Sequence, residues 1–177
     1  KAVVRKEIEK IEALGVSFEL NCMVGKDITV DEMFAKGFDA IFIGTGTALP
    51  KSLDIPGAKL RGVVQSSYLL HMVSIYNQNT ISRDRVPLIA GEHVGVIGCG
   101  NVAMDAARTA VRMGAASVSV IYHRTEADMP AIQSEYQEAV KEGVKFLWET
   151  STQEFIGDEE GHVKAIRATT PQGEQII

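Results

Sequence analysis

At 177 residues, with 45% of them apolar and a formal net charge of −5, the chain carries enough core-forming side chains for one ordinary domain, or one domain and part of another. The mild acid excess, with no block of Lys and Arg, excludes a nucleic-acid surface, which needs clustered cations against the phosphates. Cys22 and Cys99 lie far apart with no C-x-x-C spacing, which excludes a zinc or iron–sulfur site built from them.

No apolar run reaches the roughly 18 to 20 residues of a membrane span, and no signal peptide opens the sequence. Two free thiols suit a reducing cytoplasm, the expected location. The chain starts at Lys1, already in a helical pattern, and is expected to be a piece of a longer protein.

Val4, Ile8, Ile11 and Leu14 recur at helical spacing, and Gly15 is placed to end that helix with a left-handed cap. Val16, Phe18 and Leu20 then alternate with polar residues, as in a strand with one buried face. Thr29 and Glu32 have the separation of a capping box, opening a short helix that stops near Gly37. Residues 38–43 are nearly all apolar, as expected of a parallel strand covered on both faces, and run into Gly44, Thr45 and Gly46. Pro50, Pro56 and Gly57 break the chain, and residues 53–57 read as an ordered crossing loop. A helix is predicted over about 67–76. The polar, Pro-containing stretch 77–91 after it has the length of a functional or mobile loop.

Residues 93–97 predict a short buried strand, 101–113 a helix ended by Gly114, and 117–122 a second, β-branched strand, together one βαβ unit. Pro130 suits the first turn of a further helix closed by Gly143, with a strand over 144–148. Short strands near 155–156 and 163–166 flank the hairpin signal at 157–161, and 169–175 reads as a second turn. The expected fold class is α/β: a Rossmann-like parallel sheet with helices, and a small antiparallel β meander near the C-terminus.

The sharpest motif runs from Val94 to Ala103 and has the form strand, G-x-G-x-x-A, helix. Gly98 permits a tight turn, Gly100 lets the backbone approach a pyrophosphate, and Ala103 keeps the helix close to the sheet. Unpaired N–H groups and the helix dipole then favour an anion without a dedicated lysine. NAD sites place an Asp or Glu after the second strand to bind the ribose 2′-hydroxyl, whereas this chain has Tyr122, His123 and Arg124, and no carboxylate before Glu126. Arg124 offers a planar fork to a 2′-phosphate, in bonds worth about 1.5 to 3 kcal/mol, so NADP(H) is the expected nucleotide. His123 reads either as a second phosphate partner or as a solvated loop residue. Asp105, in the first turns of the helix, is a further candidate, while Arg108 and Arg112 beside it read as a solvated face.

Residues 98–114, 122–131 and 142–146 together resemble the pyridine-nucleotide domain of the glutamate synthase small (beta) subunit family, whose relatives include the flavin part of dihydropyrimidine dehydrogenase. The long phrase from G-x-G-N to A-R-T-A and the later M-P-A carry that resemblance. Upstream, residues 38–46 and Ile55, Pro56 and Gly57 resemble the family's A-T-G segment and the I-P-G loop after it. The resemblance implies an NADPH-dependent flavoprotein oxidoreductase in which hydride passes from NADPH to FAD and on to a partner, a large catalytic subunit or another electron acceptor. It also implies that Gly98, Gly100, Asn101, Val102 and Ala103 hold the pyrophosphate, Arg124 the 2′-phosphate, and that Gly44, Thr45 and Gly46 face flavin. The family's two adjacent arginines after the second strand are here His123 and Arg124.

On this reading, residues 1–60 are an incomplete FAD-domain segment and 61–177 the NAD(P)H-binding domain. One fingerprint serves one dinucleotide, so FAD belongs to the full-length protein, and the chain by itself is expected to be inactive. No residue is assigned as catalytic or metal-binding, because hydride transfer rests on cofactor positioning. A self-contained dehydrogenase is disfavoured: Tyr68 and Tyr136 lack a lysine four residues on, and the four histidines form no cluster. A methyltransferase is disfavoured by Arg124. A non-catalytic dinucleotide-binding or subunit-docking module remains the alternative.

Overall fold

The computed structural model describes residues 2–46 and 53–177, so the expected break at Pro50 lies outside the described residues. The chain divides into two units, Lys1–Ala48 and Leu49–Ile177.

In the first unit, α1 (Ala2–Ala13) ends at Gly15, whose φ of +89° and N–H bond to the Glu12 carbonyl (2.9 Å) make the expected left-handed cap. The Thr29 and Glu32 capping box opens α2 (Val30–Ala35), as the spacing predicts. The two expected strands differ from the sequence reading. Residues 16–20 and 38–43 form no β-ladder among the described residues. Apolar content suits a strand, but inter-strand hydrogen bonds make one, and these segments have no such neighbour here. All of their residues but the half-buried Ile41 are exposed, Phe42 to 95%.

The second unit opens with α3 (Ser66–Tyr76) and reaches the βαβ core: β1 (His93–Ile97), α4 (Asn101–Arg112), β2 (Ser117–Ile121), α5 (Gln133–Lys141) and β3 (Lys145–Leu147). The three strands are parallel in the order β1-β2-β3, with His93 opposite Ser117 and Ile97 opposite Ile121. Met104, Ala106, Ala107 and Ala110 form the buried face of α4 and pack in one core with Val96, Val118 and Val120 of the sheet. Small alanines let the helix axis come close to the strands, and the longer Met104 fills the space between them. Leu69 and Val73 of α3 and Ala139 of α5 join the same core.

Two details depart from the local reading. Pro130 lies ahead of α5 and outside any helix, and Ile132 caps the helix. The stretch 77–91 belongs partly to the core: Val86 and Leu88 are buried, and the Arg83 guanidinium donates to the carbonyls of Leu88 and Met113. That arginine therefore ties the loop to the negative end of α4.

β4 (Ser151–Gly157), β5 (Val163–Thr170) and β6 (Gly173–Ile176) form the expected antiparallel meander. Asp158 Oδ1 accepts from the N–H groups of Glu160 (3.0 Å) and His162 (2.8 Å), which closes the first hairpin. Residues 53–60 lie against this sheet, where the Phe155 N–H donates to the Pro56 carbonyl at 3.0 Å. No helix among the described residues is long and apolar enough to cross a membrane.

Candidate functional site

β1 and β2 end side by side, because Ile97 pairs with Ile121 in parallel register. The turn after β1 and the residues after β2 therefore emerge at one carboxyl edge of the sheet, where open α/β sheets bind ligands. The Gly98 N–H continues the ladder by donating to the Ile121 carbonyl (2.9 Å), and its φ of +104° turns the chain out of the strand. Gly100 caps α4 in extended conformation and supplies no side-chain bond to the helix end. Its carbonyl accepts from Ala103 (2.9 Å) and Met104 (3.1 Å), while the N–H groups of Asn101 and Val102 have no protein acceptor among the described residues.

A Cβ placed on Gly100 would meet no protein atom within 4 Å, although its backbone conformation is open to any residue. The protein's own packing thus does not demand glycine there; the space beside it suits a group that must touch the backbone. Donors without acceptors, the positive end of a 12-residue helix and an open glycine face fit a dinucleotide pyrophosphate. Ala103 is buried, as its expected role in close helix–sheet packing requires.

The residues after β2 are held by their backbone. The Tyr122 and Arg124 carbonyls accept from Thr150 and Glu149 (both 2.9 Å), with Glu149 in the left-handed region at φ +51°. Thr125 and Asp128 form a capping box around the single turn Glu126–Asp128, and the Thr125 bonds hold the Asp128 carboxyl below its ordinary range. His123 and Arg124 are exposed on this braced turn, with the His123 ring edge-on to buried Tyr122 at 4.9 Å.

Asn101 sits as expected in the first turn of α4, but its side-chain oxygen is engaged, accepting from the Ile132 N–H at 2.8 Å. Val102 is exposed beside it, and Asp105 is exposed one turn on. Gly44, Thr45 and Gly46 are exposed, irregular chain in the first unit. Cys99, between the two glycines, is buried, and burial with the nearby Glu126 carboxylate pushes its thiol up to about 11. It is therefore a neutral core side chain rather than a nucleophile. Among the described residues, no group of three His, Cys, Asp or Glu is placed to hold a metal ion.

The sequence reading missed the arginines. Arg108 bonds Glu135 (2.7 Å) and Glu142 (2.9 Å), and Arg112 bonds Glu142 (2.6 Å), so the stripe fastens α4 to α5. The signal was present: Glu135, Glu138 and Glu142 recur on α5 at helical spacing as the acidic counterpart of Arg108 and Arg112.

The sequence pattern of the family described as pyridine nucleotide-disulphide oxidoreductase matches residues 4–177. The chain belongs to this family. Among pyridine nucleotide-disulphide oxidoreductase relatives, a Cereibacter sphaeroides protein named as a glutamate synthase [NADPH] small chain is 40% identical over 157 residues, 88% of this chain and 38% of that protein. The glutamate synthase [NADPH] small chain of Azospirillum brasilense is 34% identical over 161 residues, 89% of this chain and 33% of that protein. The NADP(+)-dependent formate dehydrogenase subunit beta of Moorella thermoacetica is 35% identical over 165 residues, 93% of this chain and 22% of that protein. The chain thus spans well under half the length of each of these relatives.

Proposed function

We propose that this chain is the NADP(H)-binding portion of a flavoprotein oxidoreductase similar to the glutamate synthase small chain, working in the cytoplasm with a partner subunit as electron acceptor. The observation that carries the reading is the open face of Gly100 beside the acceptor-free N–H groups of Asn101 and Val102. When bound, NADPH supplies a hydride and FAD accepts it.

Everything else asked of these residues is binding and orientation. Gly98 turns the chain, Gly100 admits the pyrophosphate to the backbone, and the N-terminus of α4 stabilises its charge. Arg124, whose carbonyl accepts from the Glu149 N–H, donates to the 2′-phosphate, a role supported by its exposed guanidinium, with His123 next to it and no carboxylate before Glu126. Relatives named for NADPH or NADP(+) favour the same nucleotide. Residues 1–60 are assigned to a flavin-domain segment and 61–177 to the nucleotide domain, with Gly44, Thr45 and Gly46 facing flavin. The exposed Phe38, Phe42 and Ile43 support that assignment, since apolar surface of this kind marks a face meant to be covered.

Separate titrations with NADPH and NADH test the nucleotide half, with tighter NADPH binding expected. Equal affinities would remove the role of Arg124, and binding of neither would remove the site. Flavin absorbance of the purified full-length protein tests the other half; a folded, colourless protein would overturn it.

A further inference from the structure

The segment 129–132 links the Glu126–Asp128 turn to α5, with Met129 and Ile132 in extended conformation and a bend at Ala131, and it is pinned at both ends. At one end the Tyr122 hydroxyl donates to the Asp128 carbonyl at 3.1 Å. At the other, Asn101 Oδ1 accepts from the Ile132 N–H at 2.8 Å, a bond between the first residue of α4 and the N-cap of α5. The pins come from the residue after β2 and from the first residue of α4, the two segments that build the candidate nucleotide site. Between them, Ala131 is buried and Met129 packs against the core, so the segment has little freedom to shift while the pins hold. Beyond them, Val102 and Ile132 each leave more than half of an apolar side chain in solvent, 55% and 58%, beside the open phosphate loop.

We propose that Asn101 is a positioning residue: its side-chain oxygen holds residues 129–132 against the α4 N-terminus as a wall of the dinucleotide site, and nucleotide affinity depends on that wall. This rests on the dinucleotide reading given above. An N-cap residue such as Ile132 offers an N–H that the helix itself cannot satisfy, and Asn101 is the group that satisfies it. The amide serves this end because its oxygen accepts while adding no negative charge beside a pyrophosphate. The glycines leave room for the phosphates; Asn101 fixes what stands next to them.

The test uses the full chain and two readouts. Without nucleotide, hydrogen exchange at the Ile132 amide should quicken in Asn101→Ala and return towards the wild-type rate in Asn101→Asp, which keeps an acceptor oxygen. In NADPH titrations, Asn101→Ala should raise Kd roughly three- to tenfold, the worth of one hydrogen bond. Tyr122→Phe, which frees the other end of the segment and leaves Asn101 intact, should raise it in the same direction. The double variant should lose less than the product of the two single effects. Unchanged Ile132 exchange in Asn101→Ala overturns the positioning role, as does a Tyr122→Phe chain that binds NADPH like the wild type while Asn101→Ala does not. A wild-type chain that binds no dinucleotide overturns the underlying reading, and this role with it.

Discussion

Arg108 of α4 donates from Nε to Glu142 Oε1 at 2.9 Å, and Glu142 is the residue that caps the C-terminus of α5. Both side chains are largely shielded, at 17% and 21% exposure, and Arg112 adds two further bonds to the same carboxylate. One acid thus fastens two turns of α4 to the end of α5, and α4 is the helix whose N-terminus carries the acceptor-free N–H groups of Asn101 and Val102.

Glu142→Gln should lower stability by about 1 kcal/mol at neutral pH, allowing for solvent screening at exposed Arg112. The Arg112 bonds foremost hold the Glu142 carboxyl below its ordinary 4.5. A depressed acid binds fewer protons folded than unfolded, so its contribution is complete above 4.5 and is lost as pH falls through the depressed value. Urea unfolding at pH 7 and in acid should show the wild-type advantage shrinking in acid; an equal gap at both would refute the ion-pair account.

Cys99 acts at the opposite end of the scale. Its thiol keeps a proton from the ordinary 9.0 up to about 11 when folded, so the folded state binds more protons than the unfolded one in that window. Stability should fall as pH rises from about 9 to 11, and Cys99→Ala should flatten that decline. A thiol-labelling time course at pH 8 should modify Cys22, which is only half-buried, well before Cys99.

Gly98 and Gly100 should separate folding from binding. Gly98→Ala forces an L-residue to φ +104° and should cost about 1–2 kcal/mol in chemical denaturation. Gly100→Ala meets no protein atom and should cost no more than about 1 kcal/mol, the loss from a poorer N-cap, while weakening NADPH roughly tenfold or more. A Gly100→Ala chain with wild-type affinity would contradict the proposed phosphate contact.

Arg124→Ala should weaken NADPH about ten- to a hundredfold and NADH far less, as expected for the loss of charge-assisted bonds to a 2′-phosphate. Parallel calorimetric titrations measure the ratio. An equal loss for both nucleotides would assign Arg124 to the turn rather than to specificity.

Gly57 tests the I-P-G loop. It sits at φ +80°, and an added Cβ would collide with the Phe155 carbonyl oxygen, a backbone atom that the β4–β5 pairing holds in place. Gly57→Ala should therefore destabilise by about 2–4 kcal/mol, the sum of backbone strain and overpacking. A melting temperature equal to that of the wild type would show that the loop moves away at no cost.

Local sequence determined the parts of this protein whose physics is local. Gly15 ends a helix because only glycine adopts φ +89° cheaply, and Thr29 with Glu32 caps one because three residues bring their groups together. The βαβ unit and its glycine turn were legible for the same reason, since strand, turn and helix signals fall within about thirty residues of one another. Tertiary structure decided what depends on distant partners. Residues 16–20 and 38–43 have the composition of strands, yet a strand is made by its neighbour's hydrogen bonds, and composition supplies none. Arg83 reaches Met113 across 30 positions, Arg108 reaches Glu142 across 34, and Asn101 reaches Ile132 across 31. Those meetings are set by how α4 lies on the sheet, so the folded chain alone shows that a solvated stripe is a fastening and that the Asn101 side chain reaches the N-cap of α5.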